Sequence, residues 1–358
     1  MKKLVILSCM LFGFHISSTM GGNHPDKNVM KAFDLRMAGK VDEAKALLND
    51  IIAKDSTNAM AYYELARLQH YMLVGGGQVG IGDIMNSIDK AVANDPSNAT
   101  YAYYRGISCF LKAFISMQQG GSEVQKNIEA TAAQFEKVLS LKPDYCEPML
   151  YLVEIYGLLP REMGGDSLKA VGFADKLNEL NPYFGARAKA VLMPENSDFE
   201  KFWNSFPGTK DKNPEYLTEL GKACLYKGDV KSAEKYFTEA IKVDPSLNFR
   251  ILDLARFHMM KVMQDKEKAK TELPFAKTFL EQYLASKPEP NIPLKAYTLG
   301  LLNRVEMIQG NKAEADKIEA KAKDLDKYFS RASGVPTLLL FDPPQQLSHH
   351  YFSFFSPY

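Results

Sequence analysis

Residues 214–247 constrain the fold more than any other part of this 358-residue chain. Leu217, Leu220, Gly221 and Cys224 recur at i, i+3, i+4 and i+7, and Ala233, Phe237 and Ala240 fall on the same helical face further on. Lys227-Gly228-Asp229 lies between the two sets as a tight turn. Asp244-Pro245 ends the second helix, because proline has no amide hydrogen to donate. Gly221 and Ala233 carry almost no side chain where two such helices must approach most closely. The segment is a helical hairpin, and its apolar face needs a neighbour to bury it.

The order of residues in this hairpin resembles the signature of the tetratricopeptide repeat (TPR), a family of 34-residue hairpins. Leu220-Gly221, Ala233, Phe237 and Pro245 match it, with Leu217 and Cys224 in two slots that usually hold aromatics. The resemblance implies an all-α fold, a right-handed α-α superhelix. Stacking is required of such units, since each hairpin exposes apolar surface unless another covers it.

The pattern extends in both directions. Gly39-to-Ala44 and Gly310-to-Ala315 repeat the turn at Gly228-to-Ala233. Pairs are expected over 28–58, 59–98, 99–145, 146–184, 248–290 and 293–326, with a degenerate pair over 185–213 that contains the sole tryptophan, Trp203. Together these make about eight hairpins between residues 25 and 326. Three turns are enlarged by glycine pairs, at Gly75-Gly76-Gly77, Gly120-Gly121 and Gly164-Gly165. Beyond Asp326 the periodicity stops, and 327–358 is a proline- and aromatic-rich tail, read as a cap on the last hairpin, or else as an occupant of the array's own groove or a segment that pairs with another chain.

Met1-Lys2-Lys3, the apolar run Leu4 to Ile16 and the small residues Ser17 to Gly22 form a secretory signal peptide over 1–22, predicting an exported protein of the periplasm or cell envelope. Cys9 lies too close to Lys3 for a normal lipoprotein leader. The net charge of +1 is not the footprint of a nucleic-acid binder, and no internal apolar run is long enough to span a membrane. Cys109, Cys146 and Cys224 are far apart and odd in number, which implies no disulfide framework.

No catalytic, cofactor or metal motif emerges. Gly77, Gly80 and Gly82 imitate a phosphate loop, but no strand precedes them and no Gly-Lys-Ser/Thr follows. The informative surface is the concave face, which in TPR proteins is lined by the first helix of each pair. One step round from the packing positions this predicts a groove of Tyr63, Arg67 and Tyr71, then Tyr103 and Phe110, then Tyr226, Arg256, Tyr297 and Arg304. Aromatic residues with isolated arginines suit a protein or peptide partner; the other reading is that these side chains pack on one another. The matching faces lack the asparagines of the clamp that chaperone-binding TPR domains use for a C-terminal carboxylate. Leu159 to Asp166 resembles the periplasmic helical-repeat component of TRAP transporters, which would imply a small-molecule ligand instead.

Overall fold

The structure, a computed structural model, describes residues 26–121 and 123–331. Among these residues every regular element is helical and none is a strand. Helix α1 (Lys27–Met37) turns back on α2 (Val41–Lys54), α3 (Ala59–Val74) on α4 (Ile81–Asn94), α5 (Ala99–Gln118) on α6 (Val124–Leu141), and α7 (Cys146–Leu158) on α8 (Ser167–Leu180). Three helices follow without pairing regularly: α9 (Pro182–Leu192), α10 (Phe199–Asn204) and α11 (Pro207–Lys210). Regular pairing resumes with α12 (Pro214–Lys227) on α13 (Val230–Val243), α14 (Ile251–Gln264) on α15 (Ala269–Leu284), and α16 (Ile292–Gln309) on α17 (Lys312–Leu325). The fold class is the expected one. The leader, Cys9 and the tail beyond residue 331 lie outside the described residues.

The repeated turn has one physical basis. Gly39, Gly228 and Gly310 end their helices at φ of 75°, 84° and 84°, the left-handed region that a side chain disfavours. Asp229 then caps α13, its carboxylate accepting from the Ser232 amide at 3.1 Å. The close approach inside a pair is equally specific. A Cβ on Gly221 would sit 2.3 Å from the Phe237 ring, and one on Gly106 would sit 2.6 Å from the Phe135 ring.

Residues 185–213 correct the expectation of a degenerate hairpin. Met193 is extended before Pro194, so α9 stops there, and Pro207 opens only a four-residue helix. Trp203 fills the gap instead. It is fully buried, with ring centroids of Phe202, Phe206, Tyr216 and Tyr183 between 5.3 and 6.4 Å away.

The two ends of the array meet. Asp326 accepts from the Tyr71 hydroxyl, Phe329 lies 4.0 Å from the Tyr71 ring, and Lys327 pairs with Asp42. Tyr328 rests on the glycine turn after α3, where a Cβ on Gly75 would stand 2.5 Å from the tyrosine's own Cβ. One apolar cluster therefore runs from Val29 and Leu48 through Tyr71 to Val305, Ala322 and Phe329, and the stack of hairpins is a closed ring.

Candidate functional site

Helix α3 decides what the inner face can offer. Its sequence is apolar nearly all round, and a helix of that kind is buried on every side. One face packs on α4 and the other meets α1, α5 and residues 326–329. Tyr63, Arg67 and Tyr71 are each 0% exposed. At these three positions the structure has interior side chains where an open groove was expected: Tyr101 and Tyr104 of α5 cover Tyr63, Glu64 and Phe33 hold Arg67, and Phe329 lies on Tyr71.

Three further buried residues, Glu64, Arg36 and His70, complete the cluster. Glu64 lies between two guanidiniums, with Arg36 Nη2 2.7 Å from its Oε1 and Arg67 Nη1 3.1 Å from its Oε2, all three fully buried. The guanidiniums also lie over rings, Arg36 over Phe33 and Tyr71, Arg67 over Phe33 and Tyr63. His70 Nδ1 is 3.0 Å from the Tyr104 hydroxyl. Burial, reinforced by the charges of Arg36 and Arg67, pushes the His70 imidazole down to about 3 and so keeps it neutral. This cluster ties α1, α3 and α5 together. Sequence reading missed Arg36 and Glu64. The available signal was a charge at position 64 on a helix with no polar face to carry it.

The remaining expected residues divide by place. Tyr103 is buried against Tyr145, with centroids 5.0 Å apart, and Phe110 is half-buried beside Tyr151 at 5.7 Å. Tyr226 is exposed at the end of α12, donating to the Glu195 carbonyl at 3.1 Å. Tyr297, Arg256 and Arg304 come together: Tyr297 is buried, and the two half-buried arginines oppose the upward push that burial gives its hydroxyl. Arg256 lies 3.7 Å from Asp253, one turn behind it. The nine residues thus form three separate groups, with Tyr226 apart at the edge.

Further polar groups line the interior between them. Tyr183 donates to Glu219 at 2.8 Å, and Lys222 stands 3.2 Å from the same oxygen. Burial pushes the Glu154 carboxyl up to about 7, with Arg187 pulling the other way. The thiols are the reverse of nucleophiles: burial pushes Cys146 up to about 12 and Cys224 up to about 11. Among the described residues no three His, Cys, Asp or Glu side chains are grouped to hold a metal ion, and no helix is long and apolar enough to cross a membrane.

The family model for the tetratricopeptide repeat matches residues 214–247. Among solved structures, that of MamA is 19% identical over 60% of this chain and 95% of its own, with a TM-score of 0.33. A tetratricopeptide repeat protein from Parabacteroides merdae is 16% identical over 84% of this chain and 92% of its own, with a TM-score of 0.34. PilW, a type IV pilus biogenesis factor, is 15% identical over 83% and 91%, with a TM-score of 0.28. Superpositions this loose decide nothing about ligand or partner. No curated protein sequence gives a match. Residues 214–247, which comprise α12 and α13, are a tetratricopeptide repeat, one unit in an all-α array of helical pairs.

Proposed function

We propose that this chain is a non-catalytic scaffold, exported to the periplasm or cell envelope, that holds a protein or peptide partner on the part of its inner face formed by α14 and α16. One observation carries the reading. Beyond the tetratricopeptide repeat, two half-buried guanidiniums, Arg256 and Arg304, lie close enough to the buried Tyr297 for their charges to act on its hydroxyl. Arginine beside an aromatic ring is the chemistry that anchors protein interfaces, since it combines directed hydrogen bonds with a broad apolar contact. The Asp253 carboxylate, 3.7 Å from Arg256, holds it only loosely, so an acidic side chain of a partner competes for it. The charged, apolar and small-residue order of positions 1–22 supports export.

The test is a pull-down from envelope extract with the chain lacking residues 1–22, run beside an Arg256→Glu, Arg304→Glu variant. A protein retained by the parent and released by the variant is the expected result. No retained protein, with a small molecule held in native mass spectrometry, would replace this reading with a solute-binding one.

A further inference from the structure

Helix α7 carries a carboxylate that no other side chain answers. Glu154 stands one step round from the buried Leu152 and Val153, the position that Arg67 holds on α3. It is half-buried, and among the described residues it makes no hydrogen bond and no ion pair. The one charge acting on it there is that of Arg187 on α9. Glu64, Glu219 and Glu306, by contrast, are all held: the first by two guanidiniums, the second by the Tyr183 hydroxyl, the third by Lys277 at 2.6 Å and the Asn311 side chain at 2.7 Å. Burial pushes the Glu154 carboxyl up to about 7, as befits an acid short of both water and counter-charge. An unpaired acid in such a place works against folding, which makes it a candidate for binding instead.

Aromatic rings stand beside it. Tyr151, one turn before Glu154 on the same face of α7, stacks on the fully buried Phe135, with centroids 4.9 Å apart and planes 12° apart. That contact fixes the tyrosine ring. Phe110 of α5 lies 5.7 Å from it at 54°, and Phe114 follows one turn further along α5. Tyr151, Phe110 and Phe114 are only half-buried, so each keeps part of its ring open. Leu158, one turn beyond Glu154, is 37% exposed. An acid without a counter-ion is thus set among partly open apolar surfaces of α5 and α7.

We propose that Glu154, Tyr151, Phe110 and Phe114 form a binding site for an alkylammonium group. The ionised carboxylate takes the charge, and the rings and Leu158 take the aliphatic stem. Ring faces attract a cation as well as covering apolar surface, so the two parts of the site act on the same ligand. An anion would meet the Glu154 charge, and a wholly apolar ligand would leave the carboxylate unpaired and drier still. A lysine side chain of a partner and a free aliphatic amine present the same group. The first source rests on the functional reading above; the site itself, on different helices from α14 and α16, does not.

The experiment needs no partner protein, so its failure leaves that reading standing. Binding is titrated by ligand-observed saturation-transfer NMR at pH 8, where Glu154 is ionised and an alkylamine is still charged. The probes are n-butylammonium, N-acetyl-lysine methylamide and n-butanoate. Both ammonium probes should bind saturably and butanoate should not. Glu154→Gln should weaken both by about ten-fold or more, and Phe110→Leu should weaken them as well. Glu162→Gln, which removes an exposed carboxylate after α7, should change neither. Glu154→Gln keeps the shape of the side chain and removes an unpaired charge, so its urea midpoint at pH 8 should be at or above that of the parent, which separates lost binding from lost folding. Tighter binding of the lysine derivative assigns the site to a partner's side chain, and tighter binding of butylammonium to a free amine. No saturable binding of either ammonium by the parent overturns the proposal. So does affinity unchanged in Glu154→Gln, or butanoate held as tightly as butylammonium.

Discussion

Gly221→Ala tests the physical basis of the hairpin with the addition of one carbon. In an exposed helix interior this substitution stabilises by about 0.5–1 kcal/mol, since glycine has the larger conformational entropy to lose. At position 221 the new Cβ would stand 2.3 Å from Phe237 Cε1, 2.5 Å from Cδ1 and 2.9 Å from Cζ. The Phe237 ring is 1% exposed and sits inside the main apolar cluster, so it has no solvent to move into. Overpacking of this kind costs about 1–3 kcal/mol, which set against the helix gain leaves a net loss of up to about 2.5 kcal/mol. Gly172→Ala is the control, because a Cβ there meets nothing within 4 Å and the residue lies inside α8. The pair is compared by urea unfolding followed by far-UV circular dichroism. Gly221→Ala lowers the midpoint and Gly172→Ala raises it or leaves it level. Combining Gly221→Ala with Phe237→Leu makes room for the methyl, so the double variant loses less than the two single losses together, by about 1 kcal/mol. If Gly221→Ala proved as stable as Gly172→Ala, the close approach at Gly221 would not be what holds the pair together.

Two further predictions concern the buried polar cluster. His70 is held neutral at about 3 against an ordinary value near 6.5, so the stability it contributes is present above pH 6.5 and is lost as pH falls toward 3. The loss is up to about 1.4 kcal/mol per pH unit; His70→Gln should flatten the fall in urea midpoint between pH 7 and 5, and an unaltered slope would refute the assignment. Glu64→Gln leaves two buried guanidiniums without the carboxylate between them and should cost about 3–5 kcal/mol by the same assay, whereas Asp50→Asn, in an exposed pair with Lys54, should leave the midpoint where it was.

What was legible in the sequence is what local interactions decide. The apolar spacing of Leu217 to Cys224, the left-handed glycines at 39, 228 and 310 and the glycine opposite Phe237 act over one hairpin, within reach of periodicity and turn chemistry. They settle the helices, their pairing and the need to stack. The same reasoning failed between residues 185 and 213, where Pro194, Pro207 and a buried tryptophan replace the hairpin with one helix and two short pieces. Amphipathic spacing there is real, but the prolines cut it before a second helix can form.

The inner face divides along the same line. The spacing of a first helix marks residues one step round from its packing positions, and Arg256 and Arg304 lie close enough to Tyr297 for their charges to act on its hydroxyl. Whether such a residue meets solvent or protein depends on the far end of the chain. Tyr71 is interior because Asp326 and Phe329 reach it across 255 residues, and Arg67 because Glu64 and Arg36 leave its charge paired away from water. Nothing local to α3 records that meeting: an aspartate and a phenylalanine after the last hairpin carry no mark of their partners. Helix and turn are fixed by neighbours in the chain, but closing a ring is a property of summed small rotations between hairpins, and only the tertiary structure contains that sum.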